Sequence, residues 1–326
     1  MISTAVVMGT VFMDCKGFAG QDYNPIGRNL GSIKFVHGGV GRNVAENLAN
    51  LQVPTAFIAT VDNSAIGQEV ICRLQNVGID TKYMVEVDRG MGFWLAVLNE
   101  KGDLVGSISQ MPELTAMEEL IWEKGLEIVQ HSTHVILELD LNIDLTQRIV
   151  FLAKEHGRPV YGIPGNLEVV LSNRKILREL ECFICNDIEA ERLLGVPLQG
   201  RPVEEMRREL AAFTMSNGLG SMVITLGSKG SIYFDARNGQ SGFQPVFPVE
   251  VVDSSGAGDA FFSGTVMGLI RQNSLAEAVR HGTKVAAWTI ESSENTCTDL
   301  AKKIKTDEFF YKAAYQTRSP EEKNIC

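Results

Sequence analysis

The chain has 326 residues, of which 44% are hydrophobic and 21% charged, an ordinary balance for a globular protein with a sizeable core. Its formal net charge of −10 argues against a general nucleic-acid binder, because such proteins neutralise phosphates with lysine and arginine. We find no run of about 18 apolar residues and no basic region before the first apolar stretch, so we expect no membrane span, no signal peptide and a cytoplasmic location.

The N-terminal third predicts strands and helices around a glycine-rich turn. Residues 4–13 are β-branched and apolar, which suits a buried strand, and a polar stretch follows at 14–28. Strand-like alternation resumes at 31–36 and leads into the glycines at 38, 39 and 41. The later predicted elements are a helix at 43–51, a strand at 55–61, a helix at 67–77 and a hairpin of strands 92–98 and 104–109.

From residue 115 onward, helical and strand-like patterns alternate. The predicted helices are 117–130, 144–156, 203–216 and 260–272. The predicted strands are 135–139, 159–163, 182–184, 221–226 and 230–234. This alternation predicts right-handed βαβ crossovers and a mostly parallel sheet with helices on both faces. The hairpin and strand 31–36 do not fit the alternation, so we expect them to form a small antiparallel sheet beside the main domain.

Six cysteines are too few for a disulfide framework in a chain of this length. Cys182 and Cys185 form a C-x-x-C pair, a spacing also found in metal and redox sites. Both lie on a predicted buried strand, where an odd separation points two side chains to opposite faces. No second cysteine or histidine pair lies nearby in the sequence, so we interpret both as core residues.

The stretch 251–262, V-V-D-S-S-G-A-G-D-A-F-F, is the most informative part of the sequence. We predict a strand ending near Val252, a turn of small residues and then an apolar helix. Gly256, Ala257 and Gly258 leave backbone amides bare at the helix N-terminus, which with the helix dipole suits a dense anion such as a transferring phosphoryl group. Asp259, in the first turn, can accept the proton of an attacking hydroxyl. Taken alone, these residues could also be only a turn and a helix cap.

Three further stretches carry motifs that fit with this one. They are a di-glycine hinge with its helix at 38–45, an N-x-x-E motif at 186–189 and a turn, T-L-G-S-K-G, at 225–230. Together with 253–262, in this order, they resemble the motifs of the ribokinase-like (PfkB) carbohydrate and nucleoside kinases over nearly the whole chain. The resemblance implies one domain over 1–326 with a three-layer α/β fold. A mostly parallel sheet would lie between helices, with a small antiparallel β lid formed by about 14–37 and 90–111.

The resemblance also implies a role for each matching residue. Asp259 would be the catalytic base, and Gly256, Ala257 and Gly258 the anion hole. The residues expected to bind the sugar are Asp14, Gly39, Arg42, Asn43 and Glu138. Those expected to bind the nucleotide ATP are Asn186, Thr225, Gly227 and Gly230. Asn186 and Glu189 would act near Mg²⁺ and the phosphates, Glu189 through water. Asp253 and Ser255 match positions where many members bind K⁺.

Several of these assignments have a simpler alternative. Asn186 could merely end a strand, Glu189 could face solvent from a helix, and Asp14 could be an ordinary turn aspartate. Gly38 to Asn43 could be compared with a dinucleotide fingerprint, but Val44 stands at the position of its third glycine.

Within the family, the stretches 31–35, 39–43, 46–49 and 294–296 resemble those of pseudouridine kinases. The expected reaction is therefore the ATP-dependent phosphorylation of the 5-hydroxymethyl group of pseudouridine. Phe12, Phe35, Phe93 and Met111 could face the base or could pack inside the lid. The alternatives are a kinase of free ribose or another small sugar, and a sugar- or nucleoside-binding sensor without catalysis. The expected partners are a small-molecule substrate and, through the lid, a second copy of the chain.

Overall fold

The computed structural model describes residues 4–310, and an eight-stranded sheet runs through the middle of this part of the chain. The strands in chain order are β1 (Ala5–Met8), β2 (Phe12–Ala19), β3 (Gly31–Gly38), β4 (Thr55–Ile58), β5 (Thr60–Asp62), β6 (Val85–Val87), β7 (Gly92–Leu98), β8 (Leu104–Gln110), β9 (His134–Glu138), β10 (Val160–Ile163), β11 (Cys182–Asn186), β12 (Ser221–Thr225), β13 (Ser231–Asp235) and β14 (Gln240–Gln244). The central sheet has the order β14-β13-β12-β11-β10-β9-β1-β4. Its strands from β12 to β4 are parallel, and β13 and β14 pair antiparallel at one edge.

Helices cover both faces of this sheet. Within the described residues they are α1 (Val40–Asn50), α2 (Ala65–Asn76), α3 (Thr115–His131), α4 (Ile143–Glu155), α5 (Glu168–Ser172), α6 (Asp187–Leu194), α7 (Val203–Ser216), α8 (Ala257–Ile270), α9 (Leu275–Ile290) and α10 (Leu300–Thr306). One buried cluster joins the sheet to α1, α8 and α9, and a second joins it to α3, α4 and α7. The mostly parallel sheet with helices on both faces is therefore confirmed.

The strand β11 shows how the sequence builds these two layers. Cys182 and Ile184 belong to the cluster on the α8 side, while Phe183 and Cys185 belong to the opposite cluster. Successive side chains of a strand point to opposite faces, so a run of four apolar residues feeds both cores. The interpretation of Cys182 and Cys185 as core residues on opposite faces is confirmed.

The structure corrects the predicted strand that was to end near Val252. Residues 245–256 form no strand and run outside the sheet beyond β14. Val251 and Val252 are 74% and 60% exposed, and the amides of Val252 and Asp253 donate to the carbonyl of Ile290 at 2.9 and 3.2 Å. Val251 and Val252 are β-branched residues of the kind that strands favour, but this segment has no neighbouring strand with which to pair. The sequence analysis also missed β14, α9 and α10.

A second sheet of four strands, in the order β3-β2-β7-β8, lies beside the main one. The β2–β3 and β7–β8 pairs are antiparallel, as the hairpin predicted, and the central β2–β7 pair is parallel. The predicted strand 4–13 is in fact two strands, because β1 ends at Met8 and β2 begins at Phe12. Asp14 therefore lies within β2 of the second sheet and not at the end of the first strand. We call this second sheet the lid sheet.

The lid sheet has one face toward the main domain and one toward solvent. One row of side chains runs in register across the four strands. It consists of Phe35 on β3, Cys15 on β2, Leu95 on β7 and Ile108 on β8. Phe35 and Ile108 are each 68% exposed, so this row faces outward. Asp14 and Lys16, one residue to either side of Cys15, therefore point inward, because side chains alternate along a strand.

A buried network of charges joins α1, α2 and the segment that follows α9. The Arg42 guanidinium donates to Glu46 at 2.6 Å, and Arg73 donates to both oxygens of Glu46 at 2.9 and 3.1 Å. The Thr296 hydroxyl also donates to Glu46, at 2.8 Å. Burial alone would raise the pKa of Glu46, but the two guanidinium groups lower it to about 2. The carboxylate therefore stays charged at neutral pH.

We expect Glu46→Ala to lower the free energy of unfolding at pH 7 by about 3–5 kcal/mol, because it leaves the Arg42 charge buried without its partner. Arg42 and Glu46 are 1% and 2% exposed, so water cannot replace the lost carboxylate. Urea unfolding followed by circular dichroism measures the change. Glu69→Ala is the control: this side chain is 68% exposed and pairs with His37, so its loss should cost less than about 1 kcal/mol. Equal effects of the two substitutions would contradict the role of the network.

Candidate active site

The turn before α8 is held in a conformation that only glycine adopts easily. Gly256 has a φ of 75°, in the left-handed region, and caps the N-terminus of α8. A Cβ at this position would overlap the backbone oxygen of Asn295. Both the backbone angle and the close approach of the 292–297 segment therefore require glycine here.

This turn leaves backbone amides free at the start of the helix. Among the described residues, the amides of Gly258 and Asp259 donate to no protein acceptor. A Cβ at Gly258 would meet nothing within 4 Å, so open space lies in front of it. Free amides at a helix N-terminus, supported by the helix dipole, bind anions such as phosphate. The turn therefore has the geometry expected of the anion site that the sequence predicted here.

Asp259 lies in the same turn and is partly buried between α8 and α1. Its Oδ2 accepts a hydrogen bond from Asn43 Nδ2 at 2.7 Å. Burial raises the pKa of Asp259 to about 7, although the Asn43 hydrogen bond and the Arg42 charge both act to lower it. The nearby carboxylates of Asp14 and Glu189 raise it further. A carboxyl group with a pKa near neutrality is suited to exchange a proton with a bound hydroxyl.

The structure corrects the role predicted for Arg42. Its side chain is 1% exposed, and its guanidinium donates to Glu46, to the carbonyls of Gly38 and His37, and to Asn43 Oδ1. The donors are thus taken up by protein groups, so Arg42 does not face a substrate. It instead fixes the amide of Asn43, whose Nδ2 then points at Asp259.

The lid contributes Asp14 to the same region. Asn295 Nδ2 donates to Asp14 Oδ2 and to the His37 carbonyl, each at 3.1 Å. Burial raises the pKa of Asp14, while the Asn295 hydrogen bond and the charges of Lys16 and Arg42 oppose this. Asn295 was not among the predicted site residues. The only signal for it in the sequence was the similarity noted at 294–296.

Gly39 and Glu138 organise the hinge between the lid sheet and α1. Gly39 has a φ of 94°, and a Cβ there would press on Thr10 O at 2.6 Å. Glu138, at the end of β9, accepts the amides of Thr10 and Gly41 at 2.6 and 2.9 Å. Glu138 is 2% exposed, and burial raises its pKa to about 8. The prediction that Glu138 contacts the substrate is therefore corrected: it holds two backbone segments together.

A cavity of about 440 Å³ lies beside the N-terminus of α8. The predicted nucleotide-binding residues Thr225, Gly227 and Gly230 line it, as do Ala257 and Gly258 of the anion site. Its remaining walls are largely apolar and come from parts of the chain that the sequence analysis did not assign to the site. They include Val246, Val249 and Val251 before α8, and Thr283, Ala286, Ala287 and Ile290 of α9. The last four recur at helical spacing, which could have indicated one face of a helix.

Asn186 and Glu189 form a reciprocal cap at the start of α6. Asn186 Oδ1 accepts the Glu189 amide at 2.8 Å, and Glu189 Oε2 accepts the Asn186 amide at 2.9 Å. Burial raises the pKa of Glu189 although the Asn186 contacts lower it, and Glu189 in turn acts on Asp259. Within residues 4–310, no three His, Cys, Asp or Glu side chains are grouped to hold a metal ion. The remaining oxygen of Glu189 fits a single or water-mediated contact with Mg²⁺.

The side chains predicted to bind K⁺ do not fit a free cation in this structure. Lys16 Nζ donates to Ser255 Oγ at 3.0 Å and lies 3.5 Å from Asp253 Oδ2. Two positive charges about 4 Å apart repel by about 4 kcal/mol near a protein surface, so an ion beside the ammonium would be disfavoured. The K⁺ prediction for Asp253 and Ser255 is therefore corrected. Lys16 was missed because 14–28 was interpreted as a polar stretch and not as a strand.

None of the helices within residues 4–310 has the length and apolar character needed to span a membrane.

The chain is similar to several known proteins. The model of the pfkB family carbohydrate kinases matches residues 3–301. A guanosine-inosine kinase of Exiguobacterium acetylicum is 38% identical over 296 residues, covering 89% of this chain and 95% of the relative. A pseudouridine kinase of Escherichia coli (strain K12) is 27% identical over 302 residues, covering 92% of this chain and 95% of the relative. The structure of Arabidopsis thaliana ribokinase complexed with ribose and ATP superimposes with a TM-score of 0.77 at 22% identity, over 93% of this chain and 99% of that one.

The likeness to the solved structure confirms the ribokinase-like fold. Because the family match extends over most of the chain and is supported by a relative of 38% identity, this chain belongs to the pfkB family of carbohydrate kinases and is a phosphotransferase that acts on a hydroxyl group.

Proposed function

We propose that this protein transfers the γ-phosphoryl group of ATP to the 5′-hydroxyl of a ribonucleoside. The observation that carries the proposal is the position of Asp259. Its carboxyl group lies between the anion site with its apolar cavity on one side and the polar side chains of Asn43 and Asp14 on the other. A hydroxyl held on the polar side and a phosphate held on the cavity side would meet at this carboxylate.

The chemistry requires little more than this arrangement. Asp259 accepts the proton of the 5′-hydroxyl as the oxygen bonds to the γ-phosphorus, and the bond from that phosphorus to the bridging oxygen of ADP breaks. The amides of Gly258 and Asp259 stabilise the charge of the transferring group. The Asn43 hydrogen bond keeps the carboxylate oriented and favours its ionised form.

ATP as the phosphate donor is supported by the shape and character of the cavity. Apolar side chains of α9 and of 246–251 provide surfaces for a base, and the free amides lie at the end that a triphosphate would reach. The Arabidopsis ribokinase of the same fold was solved with ATP bound. Glu189 would hold Mg²⁺ through water, and the ion would neutralise part of the phosphate charge.

Guanosine and inosine are the preferred nucleosides in this proposal, and pseudouridine is the second candidate. The guanosine-inosine kinase is 38% identical to this chain, against 27% for the pseudouridine kinase that the sequence motifs suggested. Of the side chains considered for contact with the base, Phe12 and Phe93 are partly buried. Phe35 and Met111 are 68% and 50% exposed. Phe12 lies on the same face of β2 as Asp14 and Lys16, whereas Phe93 is in register with Met13 and shares the face of Leu95. Phe12 is therefore the one better placed to face a ligand under the lid sheet.

A panel of acceptors tests the proposal. We expect ATP-dependent ADP release with the highest kcat/KM for guanosine or inosine, a lower value for pseudouridine and the lowest for free ribose. Asp259→Asn is the matched control and should lower kcat by about 10²–10⁴-fold with little change in nucleoside affinity. A preference for ribose over every nucleoside would replace the proposal by a small-sugar kinase. Calorimetric binding of nucleosides without any turnover would indicate a sensor.

The pH dependence should report the pKa of Asp259. We expect kcat/KM to rise with pH through a value near 7, because the base must be ionised before it accepts a proton. Asn43→Ala removes a hydrogen bond that lowers this pKa, so the rise should move to higher pH. Initial rates from pH 5 to 9 measure both profiles, and Asn238→Ala, a change at an exposed asparagine after β13, serves as the control. An unchanged profile in the Asn43 variant would argue against Asp259 as the titrating base.

We also propose that the outer face of the lid sheet forms a dimer with a second copy of the chain. Phe35, Leu95 and Ile108 lie in one row across this face and are between 43% and 68% exposed, and Ile33 on β3 is also 68% exposed. A contiguous apolar face on one sheet is typical of an interaction surface. A second copy would offer the same row and could cover it symmetrically.

Ile108→Asp should convert the dimer to a monomer, because it places a charge at the β8 end of the apolar row, where the interface would bury it without a partner. Sedimentation velocity at micromolar protein measures the change. Phe151→Asp alters a similarly exposed apolar side chain on α4, 54% exposed, and should leave the dimer intact. A monomeric wild-type protein would rule out the interface.

A further inference from the structure

Lys16 is a buried lysine that connects the lid sheet to the turn before α8. The residue is 7% exposed, although it lies on β2 of a sheet whose outer face is open. Its partner directly across the β2–β3 pair, Lys34, is exposed. Only Lys16 of this pair reaches the main domain, where its ammonium contacts Ser255 and Asp253.

The contacts of Lys16 balance its buried charge. A buried ammonium is costly unless it is paired and hydrogen-bonded. Here Ser255 Oγ lies at 3.0 Å and Asp253 Oδ2 at 3.5 Å, while the other oxygen of Asp253 accepts the Ser255 amide at 2.8 Å. Burial would raise the pKa of Asp253, but the Ser255 contacts and the Lys16 charge keep it below its usual value. The Lys16 ammonium, the Asp253 carboxylate and the backbone at Ser255 are thus joined by contacts with one another.

The contacts of Lys16 with Asp253 and Ser255 lie next to the anion site. Ser255 immediately precedes Gly256, the residue whose left-handed conformation starts α8 and exposes the amides of Gly258 and Asp259. A positive charge held on Asp253 and Ser255 therefore fixes the backbone that forms the anion site. A free monovalent cation at the same oxygens could fix it in the same way, but the ammonium is already there.

We propose that Lys16 is a positioning residue that takes the place of a free monovalent cation, so that the lid sheet itself supplies the charge that orders the anion-binding turn. Two consequences follow for the kinase activity on which this inference rests. The protein should work without K⁺, and the turn should be ordered only while β2 lies against the main domain. The lid and the anion site would thereby be coupled through one side chain.

Replacing the ammonium should create a response to K⁺ that the wild-type protein lacks. We expect wild-type kcat to agree within about twofold in potassium chloride and in choline chloride of equal concentration. Lys16→Ala should lose about tenfold or more of kcat in choline chloride and recover part of it when K⁺ is titrated in, because the truncated side chain leaves space for an ion at Asp253 and Ser255. Lys34→Ala should behave as wild type in both salts.

Thermal unfolding gives a readout that does not depend on catalysis. Potassium chloride, relative to choline chloride, should raise the melting temperature of Lys16→Ala and leave that of the wild type unchanged, because an ion that binds the folded state stabilises it. This arm remains informative even if none of the nucleosides in the panel is phosphorylated, so failure of the proposed substrate class and failure of this inference can be told apart.

Three outcomes would overturn the inference. The first is a wild-type enzyme that requires K⁺ as strongly as Lys16→Ala does. The second is a Lys16→Ala variant with normal kcat and melting temperature in both salts. The third is a Lys16→Ala variant in which only the KM for ATP rises, with no response to K⁺, since that would place the ammonium on the ATP phosphates and not on the turn.

Discussion

The backbone at Gly256 is the constraint on which the rest of the site depends. Its left-handed conformation lets the chain enter α8 with the amides of Gly258 and Asp259 unpaired and facing open space. Asn295 closes the other side of the turn so tightly that no side chain fits at position 256. The anion site, the direction of the Asp259 carboxyl group and the entrance to the apolar cavity all follow from this one turn.

A second layer of buried polar groups holds the Asp259 carboxyl group in place. Glu46 pairs with both Arg42 and Arg73, and Arg42 also donates to Asn43, whose side-chain amide donates to Asp259. The same network reaches the 292–297 segment through Thr296. Buried charges of this kind contribute little net stability, yet they are costly to break and allow few alternative arrangements. In this protein the buried charges fix the direction of the Asn43 side-chain amide.

The lid sheet is both a cover and part of the polar surroundings of Asp259. Its inner face brings Asp14 and Lys16 to the main domain, whereas its outer face carries an apolar row. The alternation of side chains along β2 separates these two tasks, because neighbouring residues must point in opposite directions. One strand can therefore carry polar side chains toward the main domain on one face and contribute to an apolar row on the other.

The sequence by itself determined the α/β class, the parallel sheet, the small second sheet and the position of Asp259 beside free amides, because these depend on local periodicity and on a short run of glycines. It did not determine that Arg42 is buried over partners that all lie within residues 37–46, nor that Glu138 accepts the amides of Thr10 and Gly41, 128 and 97 residues away in the chain. Nor could it show that 245–256 lines a cavity or that Lys16 lies on Asp253 and Ser255, which are more than two hundred residues away. Tertiary structure decided these features, because burial and charge pairing are set by which distant segments meet and not by the residues next to them.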